Sequence, residues 1–216
     1  MSTLLIRLVG PMQSWGTQSH FTIRDTGREP SKSGVIGLLC AALGRPRSAQ
    51  VKDLADLKMG VRVDREGALK REFQIAQDIL MAKGKGLKTG EISYRYYLSD
   101  AGFLVGLQGE ESLLQQLQVA LQNPRWMLFL GRKSFAPAAP IWLPDGLRLG
   151  QDLQSALLTY PPLLENITNP LRFVLEDLRG EQSRQDVPVS FAERKFTVRH
   201  VRTSFFEIPG NGSRLE

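Results

Sequence analysis

The sequence predicts an α+β fold in which the elements follow one another as strand, helix, strand, strand, helix, strand. Three observations carry that reading. An apolar, β-prone run at 3–9 stops at Gly10-Pro11, and a segment apolar on every side at 35–43 stops at Gly44. Farther on, Leu113, Leu114, Leu117, Ala120 and Leu121 fall on one helical stripe. At 216 residues and 42% hydrophobic content, the chain can build one large core or two small ones.

Residues 3–9 (Thr-Leu-Leu-Ile-Arg-Leu-Val) form a first, largely buried strand, which Gly10 and Pro11 break. A polar loop rich in Gly, Thr, Ser and Arg runs to about Ser33. The length of the apolar segment 35–43, a Ser cap before it and Gly44 after it favour a buried helix. Residues 53–58 add a helical turn or two, and Gly60-Val-Arg-Val-Asp-Arg alternates apolar with polar as a half-buried second strand does. Polar, basic and glycine-spaced sequence at 67–97 marks an insertion before the third strand at 101–107. The second helix, 110–122, has Glu110 and Glu111 at its positive end and is terminated by Asn123-Pro124. A short apolar run at 126–130, ending at Gly131, reads as the fourth strand.

That order describes a ferredoxin-like (RRM-like) domain over 1–135, with an inserted hairpin at 67–97. Residues 136–216 are proline-rich at first and then offer strand-like runs at 171–175 and 196–201, so they form a β-rich C-terminal extension packed on the first domain. The final Pro-Gly-Asn-Gly-Ser-Arg-Leu-Glu reads as a mobile tail.

No run of 18 apolar residues is present, and the N-terminal apolar stretch is too short for a signal peptide, so a cytoplasmic protein without membrane contact is expected. The single cysteine, Cys40, sits in an apolar run and reads as a small buried hydrophobe. Neither a metal site nor a cofactor is expected: His20 and His200 stand far apart with no HxxxH, CxxC or HxE spacing, and Gly34-Val-Ile-Gly lacks the Lys-Ser/Thr that ends a phosphate loop. A metal-independent ribonuclease needs only a general base and cations, so His20 with Tyr94, Tyr96 or Tyr97 stays as an alternative. The main expectation is a protein with no catalytic residues.

The net charge of +6 admits an acidic partner, and within 1–50 six basic residues face two acidic ones. In Gly10-Pro-Met-Gln-Ser-Trp-Gly16, paired glycines frame Gln13 and Trp15; Trp15 either stacks on a base or covers the edge of the core. Ahead of the first helix, Arg24, Arg28, Lys32 and Ser33 put cations, hydroxyls and free amides at a helix N-terminus, a place suited to phosphate, or else to a cap with solvated charges. Lys83, Lys85 and Lys88, followed by Arg95 among the tyrosines, suggest a mobile basic hairpin. Gly131, Arg132, Lys133 and Ser134 supply two cations and a hydroxyl on a flexible glycine, again suited to phosphate.

In order along the chain these stretches resemble the Cas five family of CRISPR proteins, in its type I-E Cascade branch. The resemblance rests on Gly10 to Gly16; on Thr26, Gly27, Arg28, Pro30, Ser33 and Gly34; on Arg95, Tyr97, Leu98, Asp100, Ala101 and Phe103; on Leu-Gly-Arg-Lys-Ser at 130–134; and more loosely on Phe191-Ala-x-Arg194. It implies that the 67–97 insertion is a thumb-like hairpin projecting towards a guide RNA. It further implies a non-nuclease subunit that caps the 5′ handle of the crRNA, touches the Cas seven backbone subunit and helps seat the large subunit CasA. Target DNA would be met only indirectly, within the complex. Related type I-C subunits are ribonucleases, which is why the catalytic alternative is kept.

Overall fold

In a computed structural model, which describes residues 1–16, 22–81, 84, 86–165, 167 and 169–208, strand β1 (Ser2–Val9) leads into the short β2 (Met12–Gln13) and β3 (Ile23–Arg24). Helices α1 (Lys32–Leu43) and α2 (Lys52–Ala55) precede β4 (Lys58–Arg65). The insertion follows as β5 (Ala68–Ala76), β6 (Ile79–Leu80), β7 (Leu87–Lys88) and β8 (Glu91–Ser99). Then come β9 (Gly102–Gly109), α3 (Glu111–Gln122), β10 (Trp142–Arg148) and α4 (Leu153–Thr159). Strands β11 (Leu171–Glu176), β12 (Gln182–Ser190) and β13 (Lys195–Phe206) complete the described chain. The expected mobile tail lies outside the described residues.

Seven strands make one antiparallel sheet in the order β10-β1-β9-β4-β11-β13-β12. Helices α1 and α3 cover one face, where Leu38, Leu39, Leu114 and Leu117 pack on Leu4, Ile6, Val61 and Phe103. Ser31 accepts the Gly34 N–H at the start of α1, and Gly44 ends it in the left-handed region at φ 71°. In α3, Leu114, Leu117 and Leu121 are buried along the expected stripe.

The segment beyond 135 supplies β10 at one edge of this sheet and β11, β13 and β12 at the other. The sequence places the fourth strand at 126–130, and the structure overturns that. Those residues form no strand; β10 pairs with β1 instead. Trp126 is 46% exposed and donates its backbone N–H to Ala41 of α1, so the run is apolar without being a strand. Pro144 lies within β10, which accommodates it because an edge strand has a free side that needs no donor.

The second face is covered too, over the central strands. Strand β4, expected to be half-buried, has every residue from Met59 to Asp64 buried. Gly60 and Gly106 are register neighbours on β4 and β9, and a Cβ on either would come within 3 Å of leucines on or beside α4. The two glycines form a trough in which Leu153, Ala156 and Leu157 are buried among Leu5, Leu104, Phe173 and Leu175. A seven-residue helix has little stability alone, so this burial holds α4 in place.

The polar residues on this face are neutralised within it. Arg62 and Asp64 are 0% exposed and paired at 2.7 Å. The Arg62 guanidinium donates twice to Asp64 and to the carbonyls of Leu157, Tyr160 and Pro161, while Asp64 also accepts the Leu163 N–H. All five guanidinium donors are used, which fixes the chain leaving α4 against β4.

Arg62→Met strands a buried carboxylate and three carbonyls, so urea unfolding should show a loss of about 3–5 kcal/mol. Burial, and then the hydrogen bond that Tyr160 donates to Asp145, push the Tyr160 phenol from 10.0 up to about 12. Its folded value exceeds its unfolded one, so this contribution to stability is complete below about pH 10 and is lost as pH rises through about 12. Ultraviolet titration should show one of the four tyrosines ionising near that upper value, and earlier in Asp145→Asn.

Candidate nucleic-acid interface

Four chain segments meet at the end of β1. Gln13 is fully buried; its amide donates to the Leu8 and Ala101 carbonyls (3.1 and 2.8 Å) and its oxygen accepts the Trp15 indole N–H (3.2 Å). Trp15, 2% exposed, lies under the first turn of α1, where a Cβ on Gly34 would sit 2.9 Å from its ring. Its backbone N–H donates to Thr26 Oγ1 (2.9 Å) and its carbonyl accepts the Gly27 N–H (3.0 Å), which ties the two motif loops together.

The third segment is the loop after 130. Ser14 donates its N–H to the Leu130 carbonyl, and a Cβ on Gly131, at φ 91°, would fall 1.7 Å from the Ser14 carbonyl oxygen. Only glycine permits so close an approach. Arg132 then reaches β8, donating to the Tyr96 carbonyl (2.8 Å), with Glu72 of the hairpin 3.5 Å away.

The result is a groove of about 570 Å³ lined by Arg24, Arg47, Arg95 and Arg132, with Ser33, Gly131, Phe191 and Phe196 in its walls. Arg24 and Arg95 are register partners on β3 and β8. Burial lowers the pKa of Arg132; Glu72 opposes this, and the neighbouring Arg95 and Arg24 add to it. Four guanidinium groups outnumber the one lining carboxylate, Asp25, and such a cluster held on backbone of fixed spacing can accept a polyanion.

The family model described as CRISPR-associated protein (Cas_Cas5) matches residues 3–202. The chain belongs to the Cas five family. It is 32% identical over 219 aligned residues to the CRISPR system Cascade subunit CasD of Escherichia coli (strain K12), covering 91% of this chain and 95% of that one. A solved structure described as a Cas protein is 49% identical, with TM-score 0.80 over 95% of each chain. A chain of a CRISPR RNA-guided surveillance complex is 32% identical, with TM-score 0.80 over 96% of this chain and 91% of that one.

The site residues expected of this Cas five chain fall in different places. Arg24, Ser33, Arg95, Gly131 and Arg132 share the groove, and Trp15 forms part of its wall. Arg28 is exposed in a neighbouring polar groove of about 580 Å³ beside Glu29, Arg172 and Arg184. Gln13 and Trp15 are buried struts, so of the two roles open to Trp15 the structure selects the core. Lys88 lies at the hairpin end, paired with Glu91, and Lys133 and Ser134 are exposed. Lys83, Lys85 and His20 lie outside the described residues.

Lys32 is where expectation and structure part. It is 2% exposed and its ammonium is held by Glu176 at 3.0 Å, while its backbone N–H donates to Asp186 Oδ2 (2.7 Å). A register irregularity between Arg184 and Val187 in β12 accompanies the inward placing of Asp186, which also pairs with Arg199 at 2.7 Å. The helix N-terminus expected to take phosphate is therefore filled by the chain's own carboxylate.

Sequence reasoning missed Arg47, Phe191 and Phe196. Arg47 donates Nε to the Phe191 carbonyl (2.8 Å) across 144 positions of sequence, a link with no local signal beyond the loose Phe191 motif.

Burial lowers the Lys32 pKa against the pull of Glu176, and the buried pairing with that carboxylate makes the side chain structural. Lys32→Met should cost about 2 kcal/mol in urea unfolding, since Glu176 keeps the Met59 N–H and Arg199. In a gel-shift assay with single-stranded RNA, the folded variant should bind as the wild type does.

Proposed function

We propose that this chain is a crRNA-binding subunit of a CRISPR Cascade surveillance complex of type I-E, that it caps the 5′ handle of the guide RNA, and that it is not a nuclease. The observation that carries the reading is the four-arginine groove, assembled from β3, β8 and the loops around Arg47 and Arg132. The relative named as a Cascade subunit, and the solved chain from an RNA-guided surveillance complex, support it. On this reading the chain also links the Cas seven backbone subunit to the large subunit CasA, meets target DNA only through the complex, and works in the cytoplasm. No helix among the described residues is long and apolar enough to cross a membrane.

The accompanying fold reading is a ferredoxin-like core with a thumb-like hairpin. Its support is the order β10-β1-β9-β4, antiparallel throughout, with α1 and α3 in the two crossovers on one face. Arms β5 and β8 pair along nine register positions and leave Phe73, Ile75, Ile92 and Tyr94 between 41% and 64% exposed. Such an apolar ribbon beside cations suits a surface that docks on RNA and on a neighbouring subunit.

Filter binding to single-stranded RNA of the repeat-derived handle sequence tests the reading. Affinity should fall with salt, and Arg24→Ala and Arg95→Ala should each weaken it and flatten the log–log salt dependence by about 0.7 for each phosphate no longer neutralised. Unchanged affinity in both variants would remove the groove from the RNA path. Metal-free incubation of the protein with the same RNA should leave it uncut; cleavage would overturn the non-catalytic assignment.

A further inference from the structure

A second groove, of about 680 Å³, adjoins the arginine groove, and Arg47 and Phe191 line both. Its walls are apolar, with Cys40 and Ala41 from α1 beneath Trp126, Met127 and Phe129, and its cations are Arg45, Arg47 and Lys133. The consecutive cations of the Leu-Gly-Arg-Lys-Ser loop therefore fall one in each groove: Arg132 lines the first and Lys133 the second. Trp126 and Met127 are 46% and 80% exposed, an unusual state for side chains of this size.

Backbone hydrogen bonds hold that exposure in place. The Arg125 and Trp126 N–H groups donate to the Ala42 and Ala41 carbonyls (3.0 and 3.1 Å) in the last turn of α1, the Ala41 carbonyl also accepting the Gly44 N–H. The Arg125 stem packs on Gly44, where a Cβ would come within 2.1 Å of Arg125 Cδ. The indole is thus presented to solvent by a rigid turn, pre-organised for a planar ligand.

We propose that this groove takes one unstacked base of the guide RNA, stacked against Trp126, with the flanking phosphates on Arg47 and Lys133. The inference rests on the RNA-binding reading above and adds a base subsite to it. Two features favour RNA over a protein partner. First, the groove is continuous with the arginine groove through Arg47, so a strand leaving one enters the other. Second, no carboxylate lines it, and the nearby Asp53 is bonded to Arg45 at 2.7 and 2.6 Å, so the groove carries net positive charge against apolar, aromatic walls. Cations beside aromatic faces are what sequence-tolerant binding of single strands needs.

The test uses the full chain and single-stranded RNA of the handle sequence, with one abasic site moved along it. One abasic position should weaken wild-type binding about tenfold and leave Trp126→Ala, already weakened, without further loss. Trp126→Phe should restore most of the affinity, and 2-aminopurine at that position should be quenched on binding wild type but not Trp126→Ala. Thermal unfolding of the variants confirms that they are folded. Equal abasic penalties in wild type and Trp126→Ala would overturn the subsite, as would unchanged RNA affinity in Trp126→Ala accompanied by weaker docking of the large subunit. If Arg95→Ala weakens binding while Trp126→Ala does not, only the subsite fails. If wild type shows no salt-dependent binding, the RNA reading fails and the subsite with it.

Discussion

The central strands β1, β9, β4 and β11 have no free face, and the rest of the molecule is arranged around that constraint. Gly60 and Gly106 stand side by side where α4 crosses, and larger residues would lift the helix off the strands. With α4 seated, Arg62 and Asp64 become the most deeply buried ion pair among the described residues, each 0% exposed. RNA-binding domains with a four-stranded sheet often stack bases on the open sheet surface. Here that surface is closed by leucines, so stacking on an open sheet is not available, and the loops at the end of β1, the hairpin and the grooves are what the molecule presents instead.

Those loops are ordered by backbone contacts. Gly131 sits against the Ser14 carbonyl, Gln13 bridges β1 to the start of β9, and Trp15 fills the space under Gly34. The arginines inherit their spacing from these contacts. Burial disfavours the charge on Arg132, and Arg95 and Arg24 add to that, while Glu72 and Asp25 offset part of it. The C-terminal strands contribute at a distance: Asp186 and Glu176 neutralise Lys32 and the α1 N-terminus, which turns a possible anion site into a rigid support for the groove wall.

Much of the fold was legible in the residues. The limits of β1, a Ser cap before α1 and the Gly44 stop after it, the stripe on α3 and the insertion at 67–97 all follow from local pattern. The failures share one cause, a tertiary partner that overrides the local signal. Trp126 to Leu130 has the composition of a strand, but the amide at its start is taken by the end of α1. The polar residues of β4 alternate as on a solvated face, but α4 covers them. Lys32 precedes an apolar helix as a phosphate ligand would, but Asp186 reaches it from 154 positions away.

By itself the sequence determined the α+β order, the glycines that let loops approach closely, the basic bias of the first fifty residues and the motif order of the Cas five family. Those features are written in single residues or short spacings, so no partner segment is needed to read them. Only the tertiary structure decided which cations are available. Arg24, Arg47, Arg95 and Arg132 converge on one groove, Lys32 is consumed internally, and Trp126 is held open beside them. Availability is a property of burial and pairing across the chain, and neither is fixed until the sheet has closed.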